Sequence, residues 1–181
     1  MAALAGIEVP LHGLLYSKDR TLTYFIKRFD RPARGEKLAT EDFAQLAGRE
    51  RETKYDYSTE RLIGLLDFCT FPQLERARLF PRILFSYLVG NEDMHLKNFS
   101  LITRSGKTEL APAYDFLSTT VAYRTLGKNP KEIEEFALPL KGKRRNLTRR
   151  LLIGYLAVDR LRLPRAEIDH ALGRLGEAFP R

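Results

Sequence analysis

Three side chains within one short stretch have the types and spacing of a phosphoryl-transfer site: Asp93, Asn98 five positions later, and Asp115. Moving a phosphoryl group from a nucleotide to a hydroxyl needs one carboxylate to orient the hydroxyl and accept its proton. It also needs an amide oxygen and a second carboxylate to hold the magnesium ions that bridge the phosphates. Protein kinases space the first two as Asp-x-x-x-x-Asn and supply the third after a short hairpin. The five-residue spacing alone is a weak signal, because Asp and Asn also cap loops and helix starts. A second chemistry is open for the same segment. Glu92, Asp93, His95 and Asp115 could form an oxygen-rich metal site for hydrolysis, although consecutive Glu92 and Asp93 on a loop tend to point apart.

The elements that must position these residues are legible around them. Thr70 and Gln73 have capping-box spacing and predict the start of a long helix. Along it Phe80, Ile83, Leu84, Tyr87 and Leu88 repeat as the stripe of a core-facing helix, which Gly90 ends. Apolar runs at 99–102 and 110–112 flank the turn Arg104-Ser105-Gly106-Lys107 and predict a hairpin that delivers Asp115. Near the N-terminus, Leu14–Tyr16 and Thr21–Ile26 flank a polar turn, a second hairpin, which a charged connection from Lys27 to Pro32 leaves. Thr40 is expected to cap a helix through about Gly48, and Ser58 to open another carrying Leu62, Leu65 and Leu66. Residues 124–135 read as an irregular loop, and helices near 148–160 and 165–178 close the chain. The fold class is therefore α+β, mainly α.

With 181 residues the chain has the length of one well-buried domain, and 44% hydrophobic with 30% charged residues is a globular composition. No apolar run reaches the length of a membrane span, and residues 1–10 lack the pattern of a signal peptide. The single cysteine, Cys69, excludes an internal disulfide and fits a reducing, cytoplasmic setting. The net charge of +8 admits nucleic acid, nucleotide phosphates or an acidic protein as partners without choosing among them. The densest basic stretch, Lys141 to Arg150, reads as a solvated loop and helix entrance or as a phosphate contact.

The segments Gly90–Ser100 and Leu110–Ser118 closely resemble the signature of the HipA family, bacterial serine/threonine kinases best known as toxins of toxin–antitoxin modules. Gly6–Pro10, Phe25–Arg31, Glu41–Gln45, Lys54-Tyr55 and Ala137–Arg144 also match its pattern, so the resemblance covers nearly the whole chain. It implies a protein-kinase-like C-lobe preceded by a short N-terminal hairpin and hinge. Residues 1–31 would be a remnant of the kinase N-lobe and 32–181 the helical catalytic lobe. ATP would be the phosphoryl donor, with Mg2+ held by Asn98 and Asp115. Asp93 would be the catalytic base and Lys97 a neutraliser of transferring charge. Arg28 and Phe29 would face the adenine through backbone groups. His95, grouped with the cofactor-binding residues, would order the catalytic loop rather than titrate.

One half of such a site has no counterpart in the sequence. Kinases cover the phosphates with a glycine-rich loop and pair them with a strand lysine. Residues 1–26 hold neither, and Lys18 sits in a turn. The expectation is that another polypeptide supplies the N-lobe. Otherwise the chain is a catalytically inactive module that binds an antitoxin-type protein or, through Lys141–Arg150, nucleic acid. The expected substrate is a protein serine or threonine, DNA contact is indirect or weak, and no membrane is involved.

Overall fold

A left-handed glycine sets the position of everything downstream. Helix α3 (Pro72–Val89) ends at Gly90, whose φ of 68° reverses the chain into the candidate loop. The computed structural model describes residues 1–127, 129 and 132–179. In order, the named elements are β1 (His12–Tyr16), β2 (Leu22–Ile26), β3 (Thr40–Asp42), α1 (Phe43–Leu46), α2 (Thr59–Gly64), α3, β4 (Ser100–Arg104), β5 (Lys107–Leu110), α4 (Thr119–Thr125) and α5 (Arg165–Ala178). A 3-10 turn at Leu65–Phe68 follows α2, and a π-helix at Arg150–Arg160 precedes α5. The fold is α+β and mainly helical. No helix among the described residues is long and apolar enough to cross a membrane.

Helix α3 buries Leu79, Phe80, Ile83, Leu84 and Phe85 and packs along α5. Leu88, expected in the buried stripe, is half exposed. The core at this end is instead filled by Phe85, whose ring meets Phe116 at 4.9 Å and Phe179 at 5.6 Å. The anticipated capping box is also absent. Pro72 occupies the first turn, where a missing N–H costs nothing. Thr70 and Thr108 instead exchange hydrogen bonds of 2.8 and 2.9 Å, which tie the start of α3 to β5.

Two further polar links join α3 to the strand that leads towards Asp115. The buried Glu75 carboxylate accepts from the Leu110 N–H at 3.0 Å and from Arg78 at 3.1 Å. Arg82, also buried, donates to the Ala111 carbonyl at 2.6 Å. Burial pushes its guanidinium down to about 10, with Glu8 and Glu75 opposing the shift, so it stays charged near neutrality.

The sheet runs β3-β4-β5, antiparallel throughout. Ser105 and Gly106 both have positive φ, 49° and 75°, which suits the two-residue turn between β4 and β5. Thr40 pairs with Ile102 in β3 rather than capping a helix. Asp42 takes that role for the short α1 through a reciprocal capping box with Gln45, both bonds 2.9 Å. The sheet captures Thr40 because its partner strand offers a ladder that sequence spacing does not reveal. Ser58 caps α2 as expected. Of the loop expected at 124–135, the start is the end of α4, capped by Ser118, and residues 128, 130 and 131 lie outside the described residues.

The β1–β2 hairpin pairs His12 with Ile26 through Tyr16 with Leu22. Nearly all its residues are exposed, including Leu14, Tyr16, Leu22 and Tyr24.

A Cβ at position 90 would fall 2.5 Å from the Thr120 hydroxyl oxygen in a backbone conformation that L-residues disfavour. Gly90→Ala is therefore expected to lower stability by about 1–3 kcal/mol in urea denaturation, with helix content retained.

Candidate functional site

Asn91 is the residue from which the site is assembled. It is almost fully buried, and its side-chain oxygen accepts from the Asp93 N–H at 3.1 Å. Its amide donates to the Asp115 carbonyl at 3.2 Å. One side chain thus spans the loop after α3 and the segment after β5. Asn98 makes the second link, donating to the Asp115 carboxylate at 2.6 Å while its oxygen accepts from the His95 N–H at 3.2 Å.

Asp115 has a φ of 61°, a left-handed conformation that a non-glycine residue holds only at some cost. The two asparagines that grip its carbonyl and its carboxylate account for its persistence. Asn98 and Asp115 lie side by side, with the Asn98 amide nitrogen towards the carboxylate and its oxygen held by the His95 N–H. The pair would supply hard oxygen donors of the kind that suit magnesium once that amide turns its oxygen to the carboxylate side.

Asp93 lies on the same loop with its carboxyl group partly exposed. The Tyr55 hydroxyl donates to its Oδ1, and His95 Nε2 lies 3.9 Å from that oxygen. His95 is buried, packed edge-on against the Tyr55 ring at 5.0 Å, and its Nδ1 has no hydrogen-bond partner. Burial, reinforced by Lys54, holds its pKa below the usual histidine value, against the pull of Asp93. The imidazole therefore supports the loop from beneath as a neutral group.

Lys97 pairs with Asp42 at 2.9 Å. Its carbonyl accepts from Tyr114, whose hydroxyl also meets Ser100 at 2.6 Å. Phe29 stacks on the Tyr114 ring at 5.6 Å. Together with residues 26–31 and Asp42, these groups border an open cleft of about 500 Å³. The Arg28 guanidinium, on the border of this cleft, is engaged by Asp30 at 2.7 and 2.8 Å. A smaller cleft of about 300 Å³ lies between the hairpin and Asp115, bordered by Tyr24, Ile26 and Phe85.

The structure thus brings Asp93 and His95 together at one side of the loop, joins Asn98 to Asp115, and sets Lys97 and Phe29 on a shared cleft. Glu92 departs from this group, since its carboxylate accepts from the Glu134 N–H at 2.9 Å. Among the described residues no three His, Cys, Asp or Glu side chains converge, so the oxygen-rich hydrolytic centre does not assemble. Four positioning residues carried no separate signal in the sequence: Asn91, Tyr55, Tyr114 and Asp42. All four fall inside stretches that matched a family pattern, but nothing in their spacing marked a function.

The HipA-like C-terminal domain family matches this chain along residues 1–181. The chain belongs to that family. Among curated relatives, "Putative kinase Y4dM" of Sinorhizobium fredii is 46% identical over 95 residues, covering 52% of this chain and 23% of its own length. A Haemophilus influenzae protein with the same kinase designation is 30% identical over 131 residues, covering 64% of this chain and 37% of its own length. The HipA chain from a Shewanella oneidensis complex of HipA, HipB and operator DNA superposes with a TM-score of 0.76 at 24% identity, over 96% of this chain and 44% of that one. The Helicobacter pylori proinflammatory kinase CtkA gives a TM-score of 0.58 at 16% identity, over 97% and 78% of the two chains. The HipA-like chain therefore has a kinase-like fold, and spans under half the length of the curated relatives and of the HipA chain it matches.

Because His95 is more readily protonated in the unfolded chain, its burial stabilises the fold fully above the usual histidine range and progressively less below about pH 6.5. Urea denaturation between about pH 7 and pH 5 is expected to show this loss, and His95→Asn to flatten that slope.

Proposed function

We propose that this chain is the catalytic lobe of a protein kinase that transfers the γ-phosphoryl group of ATP to a serine or threonine hydroxyl of a protein. The observation that carries this reading is the 2.6 Å contact between Asn98 and Asp115, joined through Asn91 to the loop that bears Asp93. Asp93 orients the acceptor hydroxyl and takes its proton as the oxygen attacks the γ-phosphorus and ADP leaves. Asn98 and Asp115 would hold the magnesium, which would supply positive charge to offset that of the phosphates. Lys97 sits on the cleft and exchanges Asp42 for the charge that develops on the transferring group. Backbone groups of Arg28 and Phe29 meet the adenine in the cleft beneath the hairpin.

The same reading treats residues 1–31 as part of an N-lobe and residues 32–181 as the catalytic lobe. The phosphate-covering loop and the clamping lysine come from polypeptide outside these 181 residues. The hairpin supports this, since its sheet has two strands among the described residues and exposes Leu14, Tyr16, Leu22 and Tyr24 at 54–73%. Such a surface suits further strands packed beside it. An antitoxin-type protein is the second partner proposed, by analogy with the HipB that accompanies HipA in the Shewanella complex. DNA would be reached through that partner, and the setting is the cytoplasm.

Phosphate incorporation from labelled Mg-ATP tests the reading, comparing the chain alone with the chain joined to, or co-expressed with, the polypeptide encoded immediately upstream. Transfer is expected in the completed protein and is expected to fall about 100-fold or more with Asp93→Asn. If neither preparation binds ATP or transfers phosphate, the chain is a kinase-derived binding module instead.

A further inference from the structure

Tyr55 reaches Asp93 from 38 residues upstream, on the segment between α1 and α2, and donates its hydroxyl hydrogen bond to Asp93 Oδ1. It is held there from several sides. Its ring lies edge-on against His95 at 5.0 Å and 76°, and the Lys54 ammonium sits 4.9 Å from the ring centroid. Its carbonyl accepts from Arg144 at 3.5 Å, and Arg144 is paired with Glu134 at 3.2 Å. A side chain braced by the catalytic loop, by its own neighbour and by the segment at 134–144 is a fixed point rather than a passing contact.

Resting on the proposed function, we infer that Tyr55 is the positioning residue for Asp93. The terminal torsion of an aspartate is broad, so an unrestrained carboxylate samples many orientations. A general base must meet its proton within hydrogen-bond reach. Anchoring Oδ1 removes that freedom and leaves Oδ2 to face the acceptor hydroxyl, while the carboxyl group stays partly open to solvent. Burial and the Asp93 carboxylate together push the Tyr55 hydroxyl up, so it remains a donor across the working pH range. The other charged or titratable groups around this pair are His95, Lys54, Glu92 and Tyr123. Among the hydrogen bonds described, Asp93 Oδ1 receives its hydroxyl donor from Tyr55.

Tyr55→Phe is the informative change, because it keeps the ring against His95 and Lys54 and removes the hydroxyl alone. In the completed kinase it is expected to lower kcat about 10-fold with KM for ATP unchanged. The loss is expected in kcat alone, with the KM for the acceptor and the thermal midpoint little changed. A merely structural tyrosine would lower the thermal midpoint and leave kcat at permissive temperature unchanged. Unchanged kcat overturns the inference, and so does phosphate found on Tyr55 itself, which would make it an acceptor.

A second measurement needs no catalysis: the side-chain rotamer of Asp93 is read from NMR scalar couplings in the isolated chain and in Tyr55→Phe. Couplings averaged over rotamers in the variant alone support the inference, and identical couplings in the two overturn it. Absence of phosphoryl transfer in the unaltered protein would count against the kinase reading, while these couplings still decide whether Tyr55 positions Asp93.

Discussion

The site rests on one buried amide. Asn91 uses its oxygen on the backbone of Asp93 and its nitrogen on the backbone of Asp115, and so fixes the separation of two loops that no strand pairing joins directly. Both atoms are out of water, where an unmet donor or acceptor is costly. The amide therefore rewards a single arrangement of the two loops and penalises others. Asn98 adds the same kind of constraint one step further out, on the Asp115 carboxylate. Aspartate tolerates the left-handed backbone at 115 better than most residues, and these two grips hold it there.

Around this clamp the rest of the molecule acts as a frame. Helix α3 ends at the loop, and its polar links through Thr70, Glu75 and Arg82 fasten it to β5 and Ala111. The position of Asp115 is thereby set from the helix on one side and from Asn91 on the other. Burying a glutamate and an arginine along a core helix is expensive unless both are paired, and here each meets a backbone group of the same strand region. Rigidity at the loop is bought with polar groups placed inside the protein.

Much of this was legible in the sequence. Both hairpins, the long core helix, its glycine stop, the Ser58 cap and the two closing helical stretches were visible from periodicity and turn chemistry. Residue type and order also singled out Asn98 and Asp115, which a hydrogen bond joins. What stayed hidden depends on partners far along the chain. Thr40 and Thr70 look like helix caps by spacing, yet both are claimed by strands that lie 62 and 38 residues away, Ile102 and Thr108. Tyr55 and Asn91 have no local pattern that separates them from ordinary loop residues, because what distinguishes them is the side chain each one meets. The turn to Phe85 in place of Leu88 likewise reflects which aromatic rings arrive from elsewhere.

Asp42 divides its carboxylate between two tasks. Oδ1 accepts from the backbone of Gln45 and starts α1, and Oδ2 holds the Lys97 ammonium. Asparagine would keep the cap and lose the charge, whereas glutamate would keep the charge but carry it one methylene beyond the reach of the helix end. Position 42 thus admits a narrower choice of residues than either task alone would require. Loss of the Lys97 pairing would leave the helix start in place, so the two tasks share one side chain without competing for the same oxygen.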